Sequence, residues 1–302
     1  MRQKGTNTTF VNHNAKYQQS LHSLIYPFGF ELCGVTAAVE ARTFASFERY
    51  IGSGMHGVMT HLAGQGEARR HPRSILPGVR SLIMLAVPYA AVLGSEPHPV
   101  KQLTGIAEYA RGIDYHTWIR RRFKMLISVL QEKYTDARFR GVVDTAPLLE
   151  KEFAAAAGLG FIGKNTLLIN PHCGSKIFLA AVLTTAVLTA AERDEAEVNT
   201  PAPLCAAASC GNCTRCLDAC PAGALVEPYV LDARRCISYR NQFTAEDTGN
   251  SFFGCDICQN VCPHNRHIPH TAEGNVDPFM LDAETLRVMT KGSPAERRHR
   301  GV

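Results

Sequence analysis

CGNCTRCLDACPAGA, residues 210–224, sets Cys210, Cys213, Cys216 and Cys220 at gaps of two, two and three residues, with Pro221 directly after the last. A second block, CDICQNVCPHN (255–265), repeats the pattern without its first cysteine: Cys255, Cys258 and Cys262, followed by Pro263. Soft thiolates at this pitch fold around an iron–sulfur cubane with backbone N–H groups aimed at the sulfurs. In two-cluster proteins with this spacing the fourth cysteine of each run ligates the other cluster. On that rule Cys210, Cys213, Cys216 and Cys262 hold one [4Fe–4S] cluster. Cys220, Cys255 and Cys258 hold the second and need one more ligand, for which Cys236, in DARRCISY (232–239), is the candidate. Structural zinc shows paired CxxC sets without the CxxxCP ending, and a cytoplasmic setting disfavours disulfides. Of the other cysteines, Cys33 reads as a buried apolar residue, Cys205 as a spare near the first cluster, and Cys173 has no assignment. Such a module carries electrons. What receives them is decided by the residues in front.

The 302-residue chain is long enough for one large domain and a small one. Hydrophobic residues at 45% and charged residues at 20% describe an ordinary globular protein and exclude a disordered one. No run approaches the roughly 18 apolar residues of a membrane helix. IFLAAVLTTAVLTAA (177–191) is broken by threonines and reads as buried core. The first twenty residues lack an apolar signal core and an Arg-Arg export pair, so a cytoplasmic location is expected. The net charge is +5. Eight cluster thiolates subtract about eight charges and two [4Fe–4S]²⁺ cores return about four, leaving roughly +1. Net charge is therefore no argument for nucleic acid. Local basic groups are better candidates: Arg69, Arg70 and Arg73, Arg120, Arg121 and Arg122 with Lys124, and Arg234 with Arg235, each equally readable as a solvated helix face.

Residues 1–20 are polar and read as an arm, and a front domain runs over 21–198. ERDEAEVNTPAPLCAAAS (192–209) reads as a linker into a cluster domain over 199–270, and 271–302 as a tail. Within the front domain, SLIYPFGFELCGVTAA (23–38) reads as a helix end passing through Gly29 into a strand. ARTFASFERYIGSGMHG (41–57) reads as an amphipathic helix ending at glycine. SLIMLAVPY (81–89) fits a buried strand. Trp118, Ile119, Phe123, Leu126, Ile127 and Leu130 have helical spacing across 113–134, with a basic opposite face. GVVDTAP (141–147) predicts a strand ending at a turn. Pro147 is expected in the first turn of a helix, LLEKEFAAAAG, stopped by Gly158. A long strand or strand pair is expected over 177–190.

GLGFIGKN (158–165) matches G-x-x-x-x-G-K, but Asn165 stands where Ser or Thr should bind magnesium and a helix leads in, so ATP is rejected. Lys164, Asn165 and Thr166 on this turn suit another anionic or amide-rich ligand. Asp144, at a strand end, is the carboxylate that stands out. It reads either as a helix N-cap or as a general acid, and the second role requires burial to raise its pKa towards neutrality. Glu150 is either a like charge pushing the same way or a solvated residue. ARGIDYH (110–116) gathers Arg111, Asp114, Tyr115 and His116 as an N-cap cluster or a pocket wall.

GMHGVMTHL (54–62), RRHPRSILPGVRSLIMLAVPY (69–89), YARGIDYH (109–116), VVDTAPLLEKEFAAAAGLGFIGKNTLLINP (142–171), CGNCTRCLDACPAGAL (210–225), DARRCISY (232–239) and GCDICQNVCPHN (254–265), in this order, resemble the epoxyqueuosine reductases, cobalamin-dependent iron–sulfur enzymes that finish queuosine in tRNA. The resemblance covers about residues 20–265. It implies an α+β fold, with an α/β-sandwich-like cobalamin-binding domain followed by a ferredoxin-like double [4Fe–4S] domain. Electrons would pass from an external donor such as flavodoxin or ferredoxin through the clusters to cobalt, and reduced cobalt would act on the epoxide at the wobble base, giving the alkene and water. The resemblance assigns the proton donor to the aspartate of V-D-T-A-P, here Asp144. It points to Arg69, Tyr109, Tyr115, His116, Lys164, Asn165 and Thr166 for the corrinoid. For tRNA phosphates it points to Arg73, Arg120 and Arg121, with Arg69 beside them. A monomer without membrane attachment is expected. Two departures from the family pattern, the 237–254 segment and His264 in place of tryptophan, are expected beside the second cluster. The tail is short, without a helical-repeat extension. Two other readings stay open: a corrinoid reductase of a small molecule, and an electron carrier without a substrate of its own. Basic groups gathered at the pocket mouth would favour tRNA, and Asp144 with ARGIDYH argues against a mere carrier.

Overall fold

Ser81–Pro88 is buried at every position, which explains why SLIMLAVP shows no alternation: both faces of this strand are covered. The computed structural model describes residues 21, 24–93, 105–188, 210–244 and 246–266. The expected N-terminal arm, the linker, Cys205 and the tail lie outside the described residues.

The strands are β1 (Leu32–Ala37), β2 (Ser81–Pro88), β3 (Phe139–Val143), β4 (Phe161–Ile162), β5 (Leu168–Ile169), β6 (Ile177–Thr184), β7 (Leu225–Glu227) and β8 (Val230–Leu231). The helices that position the site are α1 (Phe44–Gly52), α2 (Tyr115–Lys133), α3 (Glu150–Ala156) and α4 (Ile237–Phe243). β1, β2, β6 and β3 form one antiparallel sheet in that order, with Ser81 opposite Thr184 and Val143 opposite Ala180. The 177–190 segment thus supplies one strand of the alternatives expected.

Alternation along β2 divides the core into two layers. Leu82, Met84 and Ala86 pack with Phe44 of α1, with Leu148 in the turns before α3 and with Phe153 of α3. Ile83, Leu85 and Val87 pack with Trp118, Ile119, Phe123, Leu126 and Leu130 of α2. Each fully buried Leu or Ile contributes about 2 kcal/mol of apolar transfer, so this double-sided strand anchors the domain. Two glycines set the distances between layers. A Cβ at Gly141 would lie 2.5 Å from Phe123, so α2 crosses β3 where there is no side chain. A Cβ at Gly34 would lie 2.2 Å from the Ala157 carbonyl, which lets the end of α3 rest on β1. Pro147 falls outside the helix it was expected to start. Asp144 to Leu149 form turns, with Ala146 N–H on Val143 O at 3.0 Å and Leu148 N–H on Ala146 O at 2.8 Å, and α3 begins only at Glu150.

The C-terminal module combines the β7–β8 hairpin, α4 and two short helices, Arg215–Asp218 and Ile257–Asn260, one from each cysteine block. Separate segments of the front domain clamp it. Ala107 N–H donates to Phe253 O at 2.8 Å and Glu108 N–H to Asp256 Oδ2 at 2.7 Å. Ser175 N–H donates to Asn265 Oδ1 at 2.7 Å, and Val58 N–H to the Tyr239 hydroxyl at 2.7 Å. Among the described residues no helix is long and apolar enough to cross a membrane.

Candidate active site and cluster cavities

Two cavities lie among the cysteines. One of about 250 Å³ is lined by Cys210, Cys213, Cys216 and Cys262, with Lys164, Asn165 and His264. The other, of about 280 Å³, is lined by Cys220, Cys236, Cys255 and Cys258, with Tyr89, Tyr109, Asn165 and Thr166. The fold therefore sorts the eight thiols into the two quartets given by exchange of the fourth cysteine, with Cys236 completing the second. Among the described residues no three His, Cys, Asp or Glu side chains converge on a point that would hold a single metal ion. The thiols of each quartet ring a cavity, which suits a cubane. Peptide groups are turned to the sulfurs: Ala224 N–H donates to Cys220 Sγ at 3.3 Å, and backbone N–H groups of Ile257 and His264 serve Cys255 and Cys262. Burial, then the thiols of Cys255, Cys236, Cys216 and Cys220, push the Cys258 thiol up to about 12. A quartet this crowded ionises readily only around a cationic core.

The acid site is built where β3 meets the start of α2. Asp144 follows the last residue of β3, and Asp114 is the N-cap of α2, its carboxylate accepting from His116 N–H at 3.0 Å. His116 stands between the two carboxylates, Nδ1 at 2.7 Å from Asp114 Oδ1 and Nε2 at 2.7 Å from Asp144 Oδ1. Only the protonated ring donates to both. The Tyr115 hydroxyl donates to Asp144 Oδ2. Burial pushes the His116 pKa down, but the hydrogen bonds and charges of Asp114 and Asp144 outweigh it and raise it to about 9. Asp114 is held at about 2, chiefly by its hydrogen bond to His116.

The expectation that burial raises the Asp144 pKa is corrected here. Burial does act in that direction, but hydrogen bonds from His116 and Tyr115 and the imidazolium charge win, and Asp144 stays below the ordinary carboxylate value. At neutral pH the protons sit on its neighbours. Glu150 is pushed up to about 8, first by burial and then by the Asp144 charge, so it is neither solvated nor merely a like charge. Burial also holds the Tyr115 phenol protonated, with the Asp144 charge acting the same way.

An aromatic seam joins this site to the second cavity. Tyr115 stacks on Phe178 at 4.2 Å and on His116 at 4.1 Å, and Tyr89 packs on Phe178 at 4.4 Å. Tyr89 and Tyr109 both line the second cavity, and Thr166, with φ +65°, lines it too. Tyr115 and His116 at the Asp144 site and Tyr109 and Thr166 at the second cavity are thus connected along one run of side chains. Lys164 is turned elsewhere: its ammonium donates to the carbonyls of Gly211 at 2.7 Å and Cys213 at 3.0 Å, tying the turn to the first cysteine loop. Asn165 is buried between the cavities.

Arg69 is 8% exposed beneath the Asp144 loop, its Nη1 donating to Leu148 O at 3.3 Å, so it is not on the surface where a nucleic-acid phosphate would meet it. Arg73, Arg120 and Arg121 are exposed. Arg120 lines a third cavity, of about 420 Å³, together with Arg140, Thr145 and Pro147, directly beside the Asp144 loop. His264 lines the first cavity rather than the second, with its ring 5.3 Å from Phe161, which corrects its expected location. Ile237 and Ser238 do line the second. Arg140 carries no motif signal in the sequence, and Tyr89 lies at the end of the quoted 69–89 stretch without being singled out. Asp114 does carry one, as the N-cap of α2.

The model described as "Epoxyqueuosine reductase QueG, DUF1730" matches residues 69–145, and one described as "4Fe-4S double cluster binding domain" matches residues 209–265. An epoxyqueuosine reductase of Pseudomonas aeruginosa is 36% identical over 313 residues, covering 94% of this chain and 81% of the relative. An epoxyqueuosine reductase solved with an epoxyqueuosine-modified tRNA-Tyr stem loop matches with TM-score 0.65 and 32% identity, covering 84% of this chain and 69% of that one. A Bacillus subtilis epoxyqueuosine reductase, solved with an aspartate catalytic loop swung out of its active site, matches with TM-score 0.67 and 30% identity, covering 87% of this chain and 70% of that one.

Proposed function

The chain belongs to the epoxyqueuosine reductase family, and on that premise we propose that it reduces epoxyqueuosine to queuosine at the wobble position of tRNA, using two [4Fe–4S] clusters and a cobalamin. Opening the epoxide to an alkene consumes two electrons and two protons and releases the oxygen as water. The clusters and the corrinoid's cobalt, when bound, supply the electrons. Cys210, Cys213, Cys216 and Cys262 hold one cluster, and Cys220, Cys236, Cys255 and Cys258 the other. Tyr109, Tyr115 and Thr166 form the corrinoid wall.

The observation that carries the chemistry is the Asp144 carboxylate held by Tyr115 and by a protonated His116 at 2.7 Å. His116 Nε2 hands a proton to Asp144 Oδ1, and Asp144, whose side chain keeps 44% of its surface open, delivers it to the departing oxygen. Glu150, near enough to feel the Asp144 charge and pushed up to about 8, is the candidate for the second. Arg120 and Arg140 beside the Asp144 loop favour an anionic polymer over a small neutral substrate, and with Arg73 and Arg121 they serve the tRNA phosphates. The electron donor in this reading is a flavodoxin or ferredoxin in the cytoplasm.

Anaerobic reconstitution with iron, sulfide and cobalamin, followed by incubation with an epoxyqueuosine-containing anticodon stem loop, tests the proposal. Queuosine forms if it is right, and no queuosine from enzyme with intact clusters and bound corrinoid refutes it. Asp144→Asn is expected to keep both cofactors and lose roughly 10²–10⁴-fold in turnover. An active Asn variant would remove Asp144 from the mechanism.

A further inference from the structure

Asn165 is the one residue shared by the linings of the two cysteine cavities. It is 4% exposed, and its environment fixes which end of the amide faces where. Oδ1 accepts the Leu167 N–H at 3.3 Å, within the turn that links β4 to β5. A Cβ at Gly163 would lie 2.8 Å from that oxygen, so the glycine leaves room for the side chain to tuck under its own turn. The turn is held from both sides. Lys164 binds the carbonyls of Gly211 and Cys213, and Lys151 Nζ donates to Thr166 O at 2.8 Å. Asn165 Nδ2, with two N–H donors, is buried and has no hydrogen-bond partner among the described residues. Leaving such a donor unmade costs about 1–3 kcal/mol, a cost with no return unless an acceptor occupies the cavities. The acceptors those cavities are built to hold are sulfurs.

We propose that Asn165 Nδ2 donates hydrogen bonds to cluster sulfur, thiolate or inorganic sulfide, at the junction of the two [4Fe–4S] clusters, and so sets their reduction potentials. This rests on the two-cluster reading above. A donor aimed at sulfur stabilises the reduced, more negative cluster, so Asn165 raises the potential of the cluster it touches. A residue serving both sites also keeps their potentials close, which favours electron passage between them.

The test uses the full chain, reconstituted anaerobically, as wild type, Asn165→Leu and Asn165→Asp. Leu matches the volume and removes both donors. Asp keeps the acceptor for Leu167 N–H and removes the donors, so it reports even if the Leu variant folds poorly. Iron and sulfide are counted first, then each cluster is titrated by EPR against solution potential. The expected result is about eight irons in all three proteins. At fixed potential the ratio of reduced to oxidised form of at least one cluster then falls about tenfold in the variants, a downward shift of ~59 mV for a one-electron couple. An exchangeable-deuteron coupling on the reduced-cluster signal, present in wild type after transfer to D₂O, is expected to weaken in both variants. Unshifted potentials and an unchanged deuteron coupling in variants with full iron overturn the inference alone. Failure of both variants to assemble clusters also overturns it, because Asn165 would then be a structural support. A wild type with fewer than two clusters removes the two-cluster reading and the inference with it.

Discussion

Asp114→Asn tests the proton supply most directly, because asparagine keeps the N-cap of α2 while removing one of the two charges that hold His116. The His116 pKa stands at about 9 against an ordinary 6.5. At about 1.4 kcal/mol per unit this favours the imidazolium by roughly 3 kcal/mol, shared between Asp114 and Asp144. Those carboxylates are 48% and 44% exposed, so solvent screening reduces the effect to about 2 kcal/mol, or ~1 kcal/mol from each. The substitution should therefore lower the His116 pKa by about one unit. The protonated fraction then falls about threefold near pH 8.5 and hardly at all at pH 7. For stability the sign is fixed by the raised pKa: the contribution is fully present below about 6.5 and disappears as pH rises through about 9. The assay is the pH profile of single-turnover epoxide reduction in wild type and variant, together with NMR titration of the His116 ring nitrogens. The alkaline limb is expected to move towards acid in the variant. An unmoved limb, or a loss of rate equal at every pH, would refute the proton-supply argument.

Two further outcomes follow from the cavities and the core. Cys236→Ala should lower bound iron from about eight to about four per chain and leave the EPR signal of one cluster, whereas full iron content would remove Cys236 from the second quartet. Gly141→Ala forces a methyl to within 2.5 Å of Phe123, so it should destabilise the front domain by about 1–3 kcal/mol, read as a drop of several degrees in Tm. An unchanged Tm would show that α2 does not rest on β3 at that point.

The sheet was legible because the strand at 81–88 is apolar at every position after Ser81. SLIMLAVP could only be buried on both sides, and 113–134 showed its apolar stripe at helical spacing. The grouping of the cysteines around two cavities was legible because the gaps and the following proline follow the spacing of double-cluster domains. Pro147 misled because its preference for a first helical turn is local, while the turns at 144–149 are set by Leu148 entering the core against β2. Lys164 misled because an ammonium in a glycine-rich turn suggests an anion, and nothing near it in sequence shows two carbonyls arriving from residues 211 and 213.

The protonation of Asp144 was the least legible feature, and the reason is general. Burial is written in the local sequence, since an aspartate at the end of an apolar strand sinks with it. Hydrogen-bond partners are written in the topology. β3 delivers Asp144 and the start of α2 delivers Tyr115 and His116, 28 or more residues earlier, and they meet because α2 crosses β3 at Gly141. Burial and pairing push the carboxylate in opposite directions, and pairing wins because His116 is charged by two carboxylates at once. In the proposed reaction this makes Asp144 a conduit rather than a store. There the proton is kept on His116, hydrogen-bonded to the exposed carboxylate, so that it would be delivered when negative charge develops on the departing oxygen and Asp144 becomes basic enough to be worth protonating.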